Sequence, residues 1–185
     1  MAEYYLISQL PSLDGLNENT PLPITEERFT ELCNRFLGKK MRETMKKLTL
    51  SPSKNIESSG FGLIDAWNES ERSLRFALGK ARAEKMKKSF HTENRIFPVE
   101  YIKAASTAVE FENPMEAEKY LNGYRLEILE TLRPMDSFSE DYVLYYGLKL
   151  KLLLRIRRFD TRVGEKAYKN IYNSILNGAG LEAKQ

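Results

Sequence analysis

The amino-acid sequence contains very few of the residues that disulfides and metal sites require. Its 185 residues include one cysteine, Cys33, and one histidine, His91. A single cysteine cannot form an internal disulfide, and no Cys or His pair has the spacing of a zinc site. A chain of this length can bury a sizeable core without such cross-links. These absences favour a protein of a reducing compartment, and we expect a cytoplasmic one.

Long hydrophobic runs are also missing. The N-terminal stretch "MAEYYLISQLP" has an acid at position 3 and only a few apolar residues before Pro11. Such a stretch is too short for the core of a signal peptide. No other segment approaches the run of about 18 uncharged apolar residues that a membrane-spanning helix needs. The sequence therefore predicts neither a signal peptide nor a membrane span.

Catalytic motifs are equally scarce. The stretch "SSGFG" (58–62) lacks the preceding strand and the Lys-Ser/Thr pair of a phosphate-binding loop. Neither an HExxH motif nor an acidic calcium loop occurs. An enzyme would have to use His91 as its base, with Cys33 as one candidate nucleophile, but a lone histidine in a polar loop is more often exposed to solvent. We predict no catalytic residue, no metal ligand and no cofactor.

Helical spacing of apolar residues dominates from residue 24 onward. Thr25, Asn113 and Ser139 are good N-caps, and Gly38 interrupts the first helical segment. Helices are expected over 24–37, 39–50, 63–88, 98–109, 113–132, 141–159 and 161–176. Before them, "YYLIS" (4–8) has the aromatic and β-branched character of a short strand. The sequence thus predicts an all-α bundle of about six or seven helices with a short extended N-terminal segment.

Domain organisation and burial follow from the same pattern. We expect a single helical domain over residues 1–185, with two lobes at about 1–95 and 96–180 as an alternative and a disordered tail at 181–185. The stretch 51–62 is the best candidate for a hinge or mobile loop. The helix 141–159 is apolar nearly all round and should be central. Two other helices should bury specific side chains: Ile102, Ala105 and Val109 in one, and Val163, Ala167, Tyr168, Ile171 and Ile175 in the last.

Charge is mixed overall and concentrated locally. The net charge of +3, with 30% charged residues, describes a soluble surface rather than a general nucleic-acid binder. Two basic clusters follow apolar stripes at helix ends: Lys80, Arg82, Lys85, Lys87 and Lys88, and then Arg155, Arg157 and Arg158. Each cluster either complements the helix dipole or contacts a partner, and both an acidic protein and a nucleic acid fit the second reading.

One acidic residue lies among the apolar positions of the helix over 63–88. Glu71 shares the seven-residue register of Trp67, Leu74 and Leu78. It also lies four residues before Arg75, which is the spacing of an ion pair on one helix face. The sequence therefore predicts a Glu71–Arg75 pair on this helix.

Two helical segments carry a recognisable pattern. The first, "WNESERSLRFALGKARAEKMKK" (67–88), has the form N-x-x-x-x-x-L-R-x-x-L-x-x-x-R-A-x-K/R, carried by Asn68, Leu74, Arg75, Leu78, Arg82, Ala83 and Lys85. The second, "FSEDYVLYYGLKLKLLLRIRRFDTRVGEKAYKNI" (138–171), has a Tyr-x-x-K-L-x-x-L-x-R core, carried by Tyr146, Lys149, Leu150, Leu153 and Arg155 after Phe138. Both segments resemble the C (eukaryotic d) subunit family of V-type and A-type rotary ATPases. The start, "YYLISQLPSL" (4–13), resembles in particular short uncharacterised bacterial proteins encoded with subunits of these ATPases.

The resemblance implies a non-catalytic helical subunit or assembly partner of a bacterial V/A-type ATPase that transports protons or sodium ions. Such a protein couples the central stalk to the membrane ring, so its partners would be stalk and ring subunits, with no direct nucleic acid. It would be cytoplasmic and peripheral on the inner membrane through the complex. We expect contacts between helices or subunits to use six cations: Arg72, Arg75, Arg82, Lys85, Arg155 and Arg158. The alternative is a helical nucleic-acid-binding or regulatory module that uses the basic helix ends.

Overall fold

The computed structural model describes residues 2–16, 20–52, 58–90, 97–158 and 168–175. Seven helices are α1 (Ala2–Ile7), α2 (Glu26–Phe36), α3 (Lys39–Lys47), α4 (Gly62–Lys85), α5 (Val99–Glu110), α6 (Pro114–Thr131) and α7 (Glu140–Arg157). Residues 168–175 are also helical, and the described ranges contain no strand. The predicted all-α bundle is therefore confirmed. None of the described helices is both long enough and apolar enough to cross a membrane.

Side-chain caps begin the helices where the sequence predicts them. The side chains of Thr25, Asn113 and Ser139 each accept a hydrogen bond from a backbone N–H of the helix that follows, at 3.2, 2.9 and 3.2 Å. Each cap satisfies one of the N–H groups that a helix start leaves unpaired. Gly38 separates α2 from α3, as predicted.

Helix α7 is the centre of the bundle, as its apolar sequence predicts. Most of its residues from Val143 to Leu153 are buried, and α1, α2, α3, α4 and α6 all pack against it. At Gly147 the neighbours come very close, because an added Cβ would lie 2.9 Å from both Met45 and Leu48. A small residue at this position therefore lets α3 approach the central helix.

Between α1 and α2, the described residues 8–16 and 20–25 contact α7 at several points along that helix. Tyr146 donates a hydrogen bond to the Pro11 carbonyl at 2.8 Å, Lys149 contacts Asp14, and Arg157 donates to the Thr20 carbonyl. Residue numbers rise together on both sides of these contacts. The described residues on either side of 17–19 therefore run in the same direction as α7 and are fastened to it by these three contacts.

The strand predicted at residues 4–8 is wrong, because residues 4–7 belong to α1 and Ser8 lies in the turn that follows it. A lone strand would leave its backbone N–H and C=O groups without partners, whereas a helix pairs them internally. The turn after the helix is closed by the Ser8 hydroxyl and the Gln9 amide, which both donate to the Tyr5 carbonyl. Leu6 is fully buried against the core, while Tyr4 and Tyr5 remain exposed.

The buried apolar residues form two clusters. The first surrounds α7 and includes residues from α1, α2, α3, the beginning of α4 and the end of α6. The second joins the later part of α4 to α5 and to the beginning of α6, through Leu74, Ala77, Leu78, Ala104, Ala105, Ala108 and Leu121. Because four of these residues are alanines, the backbones of α4 and α5 can lie close together.

Two burial predictions need correction. In α5, Ala105 is buried as predicted, but Ile102 is exposed and Val109 only partly buried, because α4 packs on the alanine side of the helix. In the last helix, Tyr168, Ile171 and Ile175 are more than half exposed instead of inside. Helical periodicity identifies an apolar stripe but does not provide a surface to cover it. Val163, Ala167 and the tail 181–185 lie outside the described residues, as do residues 53–57 of the predicted hinge.

The docking of α1 can be tested at Leu6. Replacing this fully buried side chain in Leu6→Ala should lower the free energy of unfolding by about 2–5 kcal/mol, because it leaves a cavity against the core. The change Tyr5→Ala in the same helix is the control, since its side chain is exposed and should change stability by about 0.5 kcal/mol at most. Urea unfolding measures both. Equal and small effects would contradict the packing of α1.

Candidate docking site

The six predicted contact cations fall into two groups. Arg82 and Arg158 are exposed, and neither forms an ion pair within the described part of the chain. Arg158 lies at the end of α7 beside a cavity of about 330 Å³, which Lys151 and Arg155 also line. The other four cations already contact groups of the protein itself. The structure therefore leaves Arg82 and Arg158 as the members most available to a partner.

Arg72 and Arg75 lie one turn apart around Glu71 on α4. The Arg75 Nε donates to Glu71 Oε2 at 3.2 Å, which confirms the predicted pair, and its Nη2 donates to the Ser51 hydroxyl at 3.0 Å. Arg72 is largely buried, with Nη1 at 3.7 Å from Glu69 Oε2. Arg75 therefore holds α4 to the segment that precedes it, whereas the contact between Arg72 and Glu69 lies within α4.

Lys85 and Arg155 connect to the two sides of the α5–α6 junction. The Lys85 ammonium donates to the Val109 carbonyl at 2.5 Å, near the end of α5. Arg155 forms an ion pair with Glu118, near the beginning of α6. The two basic clusters, which are far apart in sequence, are thus anchored on the same stretch of chain. These are contacts between helices, one of the two roles that we expected of the cations.

The strongest buried contact joins α4 to α6. Glu71 is 2% exposed, and its Oε1 accepts a hydrogen bond from Arg125 Nε at 2.6 Å. Arg125 is itself buried, at 5% exposure. A carboxylate in this position would be very costly without a cation, because water cannot solvate it. Arg125 supplies that cation from the neighbouring helix.

Arg125 extends this contact towards α7. Its Nη1 donates to Asn122 Oδ1 at 3.1 Å and lies 3.4 Å from Glu118 Oε1. The same Glu118 oxygen accepts from Arg155. Arg75, Glu71, Arg125, Glu118 and Arg155 therefore form a row of alternating charges, which we call the charge chain. It connects α4, α6 and α7.

The charge chain lies at the boundary between the two apolar clusters. Along α4, Glu71 separates Trp67 of the first cluster from Leu74 of the second. Along α6, Arg125 separates Leu129 of the first cluster from Leu121 of the second. The ion pair thus fills a gap that apolar side chains would otherwise occupy. It fixes α4 against α6 at one definite level.

Arg125 was not among the predicted contact residues, although the sequence contains a signal for it. Arg125 lies four residues after Leu121 and four before Leu129, so a helix places all three on one face. A cation in the middle of an apolar stripe is a candidate for a buried partner. The same reasoning applies to Lys149 within the apolar run of α7. It also applies to Glu71, which the sequence places among the apolar positions of its helix.

Lys149 is the second buried cation, on α7. Its ammonium lies 2.5 Å from Asp14 Oδ1 and 2.6 Å from Glu130 Oε1. Burial disfavours the charged ammonium, but hydrogen bonds with Asp14, Glu130 and Tyr145 outweigh burial and raise the pKa of Lys149. The hydrogen bond from Lys149 in turn lowers the pKa of Asp14. Lys149 therefore fastens both α6 and the N-terminal segment to the central helix.

Neither Cys33 nor the "SSGFG" stretch lies in surroundings that favour catalysis or anion binding. Cys33 is buried, and desolvation raises the pKa of its thiol to about 12, which disfavours the nucleophilic thiolate. At "SSGFG", Asp65 accepts from the Ser58 hydroxyl at 2.6 Å and the Ser59 N–H at 2.8 Å. Groups that could face an anion at the start of α4 thus contact an internal carboxylate. His91 lies outside the described residues, and within those residues no cluster of three or more His, Cys, Asp or Glu could hold a metal ion.

Comparison with known proteins gave no match: no family model, no curated protein sequence and no solved structure is similar to this chain. The resemblance of α4 and α7 to the ATPase subunit family therefore stays a prediction that rests on the residues of these two helices.

The charge chain can be tested by removing one charge and then both. Arg125→Met should lower the free energy of unfolding by about 3 kcal/mol or more, because Glu71 stays buried with only Arg75 beside it. The double variant Glu71→Leu/Arg125→Met should recover most of that loss, since no buried charge remains unpaired. Chemical denaturation measures both.

Arg28→Met is the matched control for this test. Arg28 forms an exposed pair with Glu31 at 3.1 Å, so its loss should cost about 0.5 kcal/mol or less. A double variant as unstable as Arg125→Met alone would show that the ion pair is not the cause of the loss.

The contact between Asp14 and Lys149 predicts a pH dependence. The folded protein lowers the pKa of Asp14, so its contribution to stability is full above the ordinary carboxyl pKa of about 3.9 and is lost as the pH falls through the lower folded value. The stability difference between the wild type and Asp14→Asn should be constant near neutral pH and shrink below about pH 4. It should be about 1 kcal/mol or less, because Asp14 is half exposed. Urea unfolding over a pH series measures it, and a difference that persists unchanged at low pH would contradict the assignment.

Proposed function

We propose that this protein is a non-catalytic helical docking protein, namely a C (eukaryotic d)-like subunit or assembly partner of a bacterial V/A-type ATPase. It would connect the central stalk to the membrane ring and would be peripheral on the inner membrane through that complex. The observation that carries the proposal is that α4 and α7, the two helices with the resemblance, share one charge chain through α6.

This arrangement suits a part that transmits force. A coupling protein must keep its shape while its neighbours move, and buried ion pairs between helices resist the sliding of one helix past another. The two patterns include three charged residues that form contacts inside the bundle, namely Arg75, Lys149 and Arg155. The resembling patterns would then describe a scaffold first and a docking surface second.

The exposed cations Arg82 and Arg158 would form the contacts with the partner subunits. Arg82 and Arg158 are exposed, and a planar guanidinium can bind a carboxylate of a partner with two parallel hydrogen bonds. Electrostatic complementarity of this kind guides partners together and selects among them. Arg82 and Arg158 are therefore the best positions at which to test the proposed function.

The proposal is tested by co-purification of the tagged protein with the stalk and ring subunits of the ATPase of its own bacterium, under conditions that keep the complex intact. The wild-type chain should retain these subunits. The variant Arg82→Glu/Arg158→Glu should retain about one tenth of the wild-type amount of these subunits or less, because two attractive contacts become repulsive.

The control is Arg28→Glu, because Arg28 is also an exposed arginine and forms its ion pair with Glu31 on its own helix, α2. It should retain the subunits as well as the wild type. A wild-type protein that never associates with ATPase subunits would overturn the proposed function, and equal retention by both variants would overturn the role of Arg82 and Arg158.

A further inference from the structure

A second surface, distinct from the charge chain, combines exposed apolar residues with positive charge. It is the outer surface of residues 76–90 and 97–103, which we call the apolar–basic face. Five large apolar side chains are exposed there, between 38% for Phe76 and 63% for Val99, the others being Met86, Phe90 and Ile102. Exposed apolar side chains that lie together in this way are typical of an interaction surface.

These side chains lie together because of how α4 and α5 are connected. The ring of Phe97 stacks on Phe76 at 5.9 Å between centroids. Phe90 packs over Gly79, where an added Cβ would lie 2.7 Å from its ring. Gly79 is one turn from Phe76, and Val99 and Ile102 follow Phe97 on the exposed side of α5. Phe76, Phe90 and the start of α5 are thus neighbours on the outer side of the α4–α5 pair, and Met86 lies seven residues after Gly79, just past the end of α4.

Positive charge surrounds these residues. The face holds five lysines and one arginine against two acids, Glu84 and Glu100, for a net charge of +4. The whole chain carries only +3, so the remainder is close to neutral. Lys80 is one turn after Phe76, and Lys87 and Lys88 adjoin Met86. All three of these lysines are exposed.

We infer that the apolar–basic face binds the surface of a membrane that contains anionic lipids. Apolar side chains inserted between lipid headgroups, with lysines at the level of the phosphates, are the two components of such binding. The inference does not depend on the proposed association with an ATPase, because it concerns the lipid itself.

Two other partners fit the composition of this face less well. Interfaces between folded proteins are depleted in lysine and enriched in arginine, whereas lysines here outnumber arginine five to one. A nucleic-acid duplex would use the lysines but would give Met86, Val99 and Ile102 nothing apolar to contact. A fluid anionic surface uses both the apolar and the charged residues, and it does not need fixed geometry from flexible lysines.

The test is co-sedimentation of the full chain with vesicles made of equal parts of phosphatidylcholine and phosphatidylglycerol. The protein should bind these vesicles at low salt, bind less as salt rises, and not bind vesicles of phosphatidylcholine alone. Lys80→Glu/Lys87→Glu/Lys88→Glu should weaken binding by about a hundredfold or more, because each lysine near an anionic surface contributes about a factor of five. Met86→Ser/Val99→Ser should weaken it about tenfold while keeping the salt dependence.

Matched controls lie elsewhere on the surface. Lys39→Glu/Lys46→Glu/Lys47→Glu makes the same charge change at exposed positions of α3, and Met135→Ser/Ile175→Ser removes two exposed apolar side chains outside the face. Neither should change binding by more than about twofold. Because all substituted side chains are exposed, thermal unfolding should be unchanged and will show that the variants are folded.

Three results would overturn the inference. The first is the absence of binding to the anionic vesicles at low salt. The second is a loss of binding with the α3 control as large as the loss with the face variant. The third is binding of a labelled DNA duplex that depends on Lys80, Lys87 and Lys88 but not on Met86 and Val99, without vesicle binding, which would assign the face to nucleic acid.

Discussion

The contact between Glu71 and Arg125 is the constraint on which the arrangement of the bundle depends. Both charges are removed from water and lie 2.6 Å apart on different helices, so each requires the other. Moving α6 along α4 by a single turn would displace one charge from its partner by about 5 Å. Apolar packing alone would tolerate such a shift better, because leucines and alanines recur along both helices. The ion pair therefore selects one level of packing and keeps the two apolar clusters on opposite sides of it.

The same constraint separates structural arginines from available ones. Arg75, Arg125 and Arg155 lie within reach of Glu71 or Glu118 and are used inside the bundle. Arg82 and Arg158 occur one or two turns further along the same helices, beyond these acids, and remain exposed. Arginines of this chain thus have different surroundings, which depend on their distance from the buried Glu71 and the partly buried Glu118. The docking surface proposed for Arg82 and Arg158 could therefore change without disturbing the contacts of the other three arginines.

The helices and their starts could be predicted from the sequence because they depend on local chemistry. Local signals include the caps at Thr25, Asn113 and Ser139, whose hydrogen bonds join residues two or three positions apart, and the apolar run of α7. The strand assigned to residues 4–8 failed because aromatic and β-branched residues suit either structure, and the missing partner strand decides between them. Arg125 could not be paired with Glu71 from sequence, since the contact spans 54 positions and depends on how α6 packs on α4. The predicted burial of Tyr168, Ile171 and Ile175 was wrong for a related reason, because helical periodicity does not show whether another element covers the apolar face.

Topology explains why apolar residues are exposed on the outer side of α4 and α5. Phe97 at the start of α5 lies beside Phe76 in the middle of α4, and Val109 near the end of α5 lies beside Lys85 at the end of α4. The two helices therefore run parallel, and residues 86–90 return along α4, so that Phe90 lies over Gly79. The alanine contacts between the helices leave no room for this return between them, so Phe90 and Phe97 lie on the outside. The close α4–α5 packing and the exposed apolar residues thus have one origin. A longer side chain at Ala104 or Ala105 would alter both.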